Sequence, residues 1–467
     1  MKKSVSVILV LAVLMSFVLF GCGTGSGGDT AASTTGSGAA ASTAESTGSG
    51  DKGEPTVTND SVGYPDATVE LTWLPQEAFD SPNKPVADYL KAKSVEFVKA
   101  HPEVKIKVTA QTVNIQDAMA KLLIQAESGT APDVAAVDSF ILPSYWKYLQ
   151  PLDDVMAENN ISIDSWFPFA QKLMKPEDKT LALWYNTDVR MLYYQKSLFS
   201  APPKDWDELV TKMQELKKSG DYMFLYPAGK NETTPCDIWP WFWAQGGKIV
   251  DDSGKPVFNE GANKEYMLNT LNFLKKTIDT GITPTRVTSF MTDGDMNQDV
   301  ASGKVAAFIG GSWLVKQIGA IIGDENFAKT YELATIPVAP GVNTTTTSGG
   351  WTYGVFSKDD AKRKLAAQFA IDAFVGDKGV EGYCLASGNL PVRPALYDSI
   401  EQFKSDPIQQ KFKESLQLAS VRPGVEIYNF ISTEFQVAIS DVISGAATPE
   451  AALAKMAKNV DAEYAKK

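Results

Sequence analysis

Between Val69 and Asp138 the chain reads as strand, helix, strand, helix, strand, and few folds accommodate that order. Val69, Leu71 and Trp73 alternate with polar residues, as do Val104, Ile106 and Val108 with Lys105 and Lys107. Successive side chains on a strand point to opposite faces, so each run predicts a strand with one apolar face. Helices are predicted over residues 86–100 and 115–127, the second ending near Gly129. Val134, Ala135, Ala136 and Val137 form an unbroken apolar run, as a parallel strand covered on both faces requires. Strands joined through helices build a doubly wound α/β sheet, whose ligands bind beyond the carboxyl ends of the strands. Asp138 stands at such an end.

Later helices are marked by their caps and stripes. Asp205-Trp206-Asp207-Glu208 has the form of a capping box ahead of Leu209, Met213 and Leu216. Thr448 followed by Pro449 opens a helix with Leu453, Met456 and Val460 on one face. Leu365, Ala366, Phe369, Ala370, Ala373 and Phe374 make another apolar stripe.

The first 66 residues follow different rules. Lys2 and Lys3 precede an apolar run from Val5 to Phe20, too short for a membrane span and suited to a signal-peptide core. Leu19-Phe20-Gly21-Cys22 resembles a bacterial lipobox, with Phe20 where a small residue is more usual. Residues 1–21 are thus expected to be a lipoprotein signal peptide, and Cys22 the lipidated first residue of the mature chain. Two or more acyl chains make a stable anchor. Residues 22–66, rich in Gly, Ser, Thr and Ala, cannot bury enough surface to offset chain entropy and are expected to form a disordered tether. Its r.m.s. span is about 35–40 Å.

The formal charge of −12 argues against nucleic acid or an anionic membrane surface as partner. Cys236 and Cys384 are the only cysteines besides Cys22; they could bridge or remain as two buried thiols. With His101 the only histidine, a His-based zinc site or a Ser-His-Asp triad lacks its parts. Asp293, Asp295, Asn297 and Asp299 have the spacing that opens a calcium loop. Gln298 and Lys304, however, occupy positions where that loop needs Gly and Glu. No metal and no cofactor is expected.

Several segments, in order, carry a family resemblance. They include Ala131-Pro132-Asp133-Val134, Met191-Leu192-Tyr193-Tyr194, Pro202 to Leu209, and Ala244-Gln245-Gly246-Gly247. Gly303 to Ala307 with Gly311-Ser312-Trp313, then Gly388 to Arg393, Arg422-Pro423 and Gly445 to Ala451 complete the set. From about residue 68 to its end the chain resembles the extracellular solute-binding proteins of ABC importers, in the sugar-binding group related to maltose- and trehalose-binding proteins. The resemblance implies a two-lobed periplasmic-binding-protein fold, each lobe a doubly wound α/β sheet flanked by helices. Residues 67–184 and 338–390 would form lobe 1, and residues 185–337 and 391–467 lobe 2. The three hinge crossings would lie near residues 181–187, 335–338 and 389–393. It also implies a monomer at the extracytoplasmic face of the cell membrane, a membrane permease as partner, an oligosaccharide as ligand, and no enzymatic activity.

Sugar rings offer C–H faces to aromatic planes and hydroxyl edges to charged groups. Carried over by position, the resemblance nominates Trp313, Trp351 and Trp241 for the faces. It nominates Asp138, Asp188, Arg393 and Gln76 for the edges, and Gly350 for backbone hydrogen bonds. Core packing is the competing fate of each Trp, and Arg190 a competing partner for Asp188. One arginine, two carboxylates and several tryptophans favour a neutral sugar over a polyamine, a phosphate ester or a metal ion. A cell-surface carbohydrate-active enzyme would use Asp138 and Asp188 as its acid and nucleophile, but no motif fixes their separation. A surface receptor or adhesin using the same binding step is a further alternative.

Overall fold

The structure, a computed structural model, describes residues 53–112 and 114–466. Thirteen strands form three sheets among these residues. The expected opening pattern is present: β3 (Val69–Leu74), β4 (Val104–Val108) and β5 (Val134–Asp138) pair in parallel, with β3 central. The helices Lys84–Ala100 and Ile115–Ser128 connect them. In β4 the valines and isoleucine are buried and both lysines exposed, whereas every residue of β5 is buried.

The large sheet has the order β1-β2-β4-β3-β5-β12-β6. Its outer strands β1 (Thr56–Val57) and β2 (Ser61–Gly63) lie within the stretch expected to be tether, so the tether reading fails at its carboxyl end. The cause is local: Val62 and Tyr64 are buried, and β2 continues the sheet at β4. The signal peptide, Cys22 and the tether as far as residue 52 fall outside the described residues.

The second lobe is built on the four-stranded sheet β10-β7-β9-β8. Here β7 (Arg190–Gln195) runs antiparallel to β9 (Val305–Gly311) and β10 (Tyr331–Ala334), while β8 (Met223–Leu225) is parallel to β9. A parallel pair, β11 (Thr346–Ser348) with β13 (Ala419–Val421), stands beside β7, where the Thr346 hydroxyl bonds to the Arg190 backbone.

Strand membership places the passages between lobes. β6 (Ala182–Thr187) runs wholly within the large sheet, so the first passage is at Asp188–Val189, directly after the expected stretch 181–187. The second is not at residues 335–338: β11 still belongs with the second lobe, and β12 (Gly350–Val355) lies in the large sheet, which leaves Gly349 between them. The chain stays on because Thr346 is tied to Arg190 at two backbone atoms. At the third, Leu390 forms a bridge with Thr187, after which the helices Tyr428–Ile443 and Pro449–Tyr464 pack on Gly261–Asp279. Gly350 is required where it stands: its φ is +147°, and a Cβ would fall 2.0 Å from the Asn186 carbonyl oxygen.

The caps form much as their sequences suggest. Asp205 accepts from the N–H groups of Asp207 and Glu208 at 3.0 and 2.9 Å, and Thr448 from Ala451 at 3.3 Å. The Glu208 carboxylate reaches Lys204 N, one residue short of a true capping box. In lobe 1, Phe374 closes an aromatic core, its ring 4.7–5.8 Å from those of Trp73, Tyr185, Tyr353 and Tyr383. Phe374→Ala should therefore lower unfolding stability by about 3–5 kcal/mol. Urea denaturation would show this as a lower midpoint at unchanged slope.

Candidate functional site

The walls of a cavity of about 260 Å³ come from both lobes and from the passages between them. From lobe 1 come Gln76 and Glu77 in the loop after β3, Asp138 at the end of β5, and Gly350 and Trp351 at the start of β12. β5 and β12 are antiparallel, with Asp138 and Trp351 directly paired, so the acid and the indole arrive at the same edge of the sheet. Lobe 2 supplies Arg190 at the start of β7, Glu232 at the head of the helix Thr233–Trp243, and Asp293. Trp313 follows β9, and Arg422 follows β13.

Two buried arginines organise these walls. Arg422 reaches Asp138 across the lobe boundary at 2.9 Å and Glu232 at 3.1 Å, with its guanidinium carbon 4.6 Å from the Phe140 ring centre. Glu232 also accepts from the Tyr428 hydroxyl at 2.9 Å and from Ser432. Arg190 donates to Asp237 at 2.6 Å and to Asp188. It also lies 4.6 Å from the Trp313 ring centre. A Cβ on Gly311 would run into that indole at 2.3 Å, so the Gly-Gly end of β9 is what lets the ring lie down on the strand.

Burial dominates the titration of the acids. It pushes the Asp138 and Glu232 carboxyls above the usual carboxylate range despite Arg422, and it raises Glu77 despite hydrogen bonds from Ser81 and Asn83. Asp293 is raised well above its ordinary value by burial and then by the neighbouring Asp237. Two carboxyl groups so placed share a proton. Burial alone would lower Arg190, but the carboxylates of Asp188 and Asp237 outweigh it and hold the guanidinium charged.

The description "bacterial extracellular solute-binding protein" belongs to the family that matches residues 94–411. The chain belongs to that family. A probable ABC transporter-binding protein of Deinococcus radiodurans is 25% identical over 371 residues, which cover 74% of this chain and 85% of that relative. Among solved structures, maltose-bound MalE3 of T. maritima matches with a TM-score of 0.73 at 21% identity, over 84% of this chain and 99% of that one. The GacH receptor of Streptomyces glaucescens, solved unliganded and with acarbose, matches with a TM-score of 0.71 at 22% identity, over 84% and 97%. These likenesses show the two-lobed fold.

Of the residues nominated from sequence, this solute-binding protein brings Gln76, Asp138, Asp188, Trp313, Gly350 and Trp351 together around the cavity. It places two elsewhere. Trp241 is wholly buried in the core of lobe 2, donating to the Pro337 carbonyl at 3.1 Å and packing edge-on to Phe273 at 4.9 Å. Arg393 caps a different surface, bound to the Val375 carbonyl at 3.1 Å and to Asp377 at 2.7 Å, against Trp166. Cys236 and Cys384 are buried and unbridged.

Sequence reasoning missed Arg190, Glu232, Asp293 and Arg422 as cavity residues. Arg422 lay inside one of the resembling segments and Arg190 beside Asp188, so both carried a signal. Asp293 was set aside with the imperfect calcium spacing. In fact Asp293 faces the cavity, Asp295 caps the Thr292 turn and Asp299 pairs with Arg286.

Replacing Arg422 by Met should leave Asp138 and Glu232 buried without their cation. A loss of about 3–5 kcal/mol of stability is expected near neutral pH. Folded-state carboxyl pKa values raised above the unfolded ones contribute stability at acid pH that is lost as pH rises through them. The deficit of Arg422→Met should accordingly shrink as pH falls from 8 toward 5, measured by thermal unfolding of variant and parent.

Proposed function

We propose that this solute-binding protein is a lipid-anchored, extracytoplasmic, monomeric component of an ABC importer that captures an oligosaccharide between its lobes and delivers it to the permease. It carries out no chemistry on the ligand. The observation that carries this reading is the presence of Trp313 from lobe 2 and Trp351 from lobe 1 on one cavity, whose remaining walls are mostly polar side chains. Indole planes suit the C–H faces of sugar rings, and ionised side chains make the stronger hydrogen bonds to their edges. The maltose and acarbose complexes of similar fold support it. The lipobox-like Leu19 to Cys22 supports the anchor. Because both lobes line the cavity, a bound ligand favours the closed arrangement.

The cavity differs from the one expected. Five carboxyl groups line it, where two had been foreseen, and both of its arginines are already engaged. That observation favours, as a second reading, a cationic solute such as a polyamine.

A thermal-shift screen against mono- and oligosaccharides, polyamines and phosphate esters separates the two. A sugar that binds only the native state stabilises it by about 2.7 kcal/mol at a hundredfold excess over its Kd. Trp313→Ala and Trp351→Ala should each abolish most of that shift while the unliganded melting temperature changes less. A shift with polyamines alone would replace the sugar reading with the second.

A further inference from the structure

The cavity is small for the ligand it would receive. Its volume of about 260 Å³ lies below the range of about 300–1,000 Å³ usual for small-molecule sites. It is not a dead end, however. Asn83, Gly294, Gln317 and Ser387 line it and also line an adjoining groove of about 770 Å³. The groove crosses the same boundary between lobes, with Pro82, Pro85 and Leu385 on one side and Ala320 and Ile321 on the other. A ligand held in the cavity therefore has a continuous path into the groove.

The chemistry of the walls changes along that path. Trp313 caps the helix Leu314–Ile322, on which Gln317 and Ile321 stand one turn apart, so a single helix face leads from the indole outward to Ile321. Opposite, Ser387 at the cavity gives way to Ala386 and Leu385, and Asn83 to Pro82 and Pro85. Polar groups thus stand at the junction and aliphatic ones beyond it. The Lys84 ammonium is engaged by Asp88 at 2.7 Å. Ile321 is 43% exposed, one of the few large apolar side chains left in water among the described residues. Apolar surface that adjoins a binding cavity and stays uncovered marks a contact surface.

What leaves the cavity is decided by what the groove lacks. No aromatic side chain is among the described residues lining it, so a second sugar ring would find no plane for its C–H face. An aryl or alkyl group needs no such plane and gains by contact with proline, leucine and isoleucine carbon. We propose that the ligand is a glycoside with an apolar aglycone. Its terminal sugar enters the cavity bordered by Trp313 and Trp351, and its aglycone lies in the groove against Ile321, Leu385 and the two prolines. The proposal rests on the sugar reading above and departs from it only in the non-sugar group.

The test is calorimetric titration of the full chain with methyl, phenyl and benzyl glycosides of glucose, galactose, mannose and xylose, in both anomers, beside the matching disaccharides. A phenyl or benzyl glycoside should bind at least about tenfold more tightly than the methyl glycoside of its sugar, as burial of one ring implies. Ile321→Asp and Ala320→Glu, both at exposed positions where a folding defect is not expected, should each cut that ratio below about threefold, because a charge then stands where the aglycone lies. Ile124→Asp, at an exposed apolar residue outside cavity and groove, should leave the ratio unchanged. Three results would overturn the aglycone and leave the sugar reading standing: equal affinity for methyl and aryl glycosides, a preference that survives both groove variants, or a disaccharide that binds as tightly as the aryl glycoside of its sugar. Binding of spermidine with no sugar or glycoside, or no binding by any of them, would overturn both.

Discussion

Arg422 is the residue on which the two lobes agree. It rises from the end of β13 in lobe 2, is buried, and holds Asp138 of lobe 1 and Glu232 of lobe 2 at once. A buried ion pair of this kind adds little net stability over well-packed apolar groups, but breaking it is expensive. It therefore acts as a register, because lobe 1 can close only where Asp138 meets the guanidinium. Gln116 of lobe 1, bonded to Thr433 and Gln436 on the helix Tyr428–Ile443, supports the same alignment near the surface.

The geometry of the cavity follows from where strands end. β5 and β12 deliver Asp138 and Trp351 to one edge of the large sheet, and β7 and β9 deliver Arg190 and Trp313 to an edge of the smaller one. The passages between lobes lie in the same region, so Asp188 and Gly350 serve both hinge and wall. Gly350 cannot be replaced without displacing Asn186, whose side chain holds the Trp351 N–H at 3.0 Å. The passages between lobes and the wall of the cavity are thus one piece of backbone.

Much of this was legible in the sequence, and the reasons differ by region. The opening strands and helices were readable because Val104, Ile106 and Val108 obey a period of two, and the helix caps because Asp205 and Thr448 bond locally. Asp138 could be nominated because it ends a recognisable strand, and Trp313 and Trp351 because the family resemblance carries over to their positions. Trp241 could not be told from a cavity residue, because a tryptophan in an aromatic run looks the same whether it faces a ligand or Phe273. Arg393 was drawn elsewhere by Asp377 and Val375, partners remote from any local pattern. The cluster of Arg190, Glu232, Asp293 and Arg422 spans more than two hundred residues and exists only once the chain has folded. The passage at Gly349 was missed because residues 346–348 pair with a strand some seventy positions away.

The most direct test of the central claim is a crystal structure of the protein with a sugar that raises its melting temperature. The account predicts a ring in the cavity bordered by Trp313 and Trp351, with polar contacts to both lobes and the Arg422–Asp138 pair intact. A sugar seated instead on an outer surface, such as the groove between Thr109 and Lys121 beside β3, with the interlobe cavity holding only solvent, would contradict it.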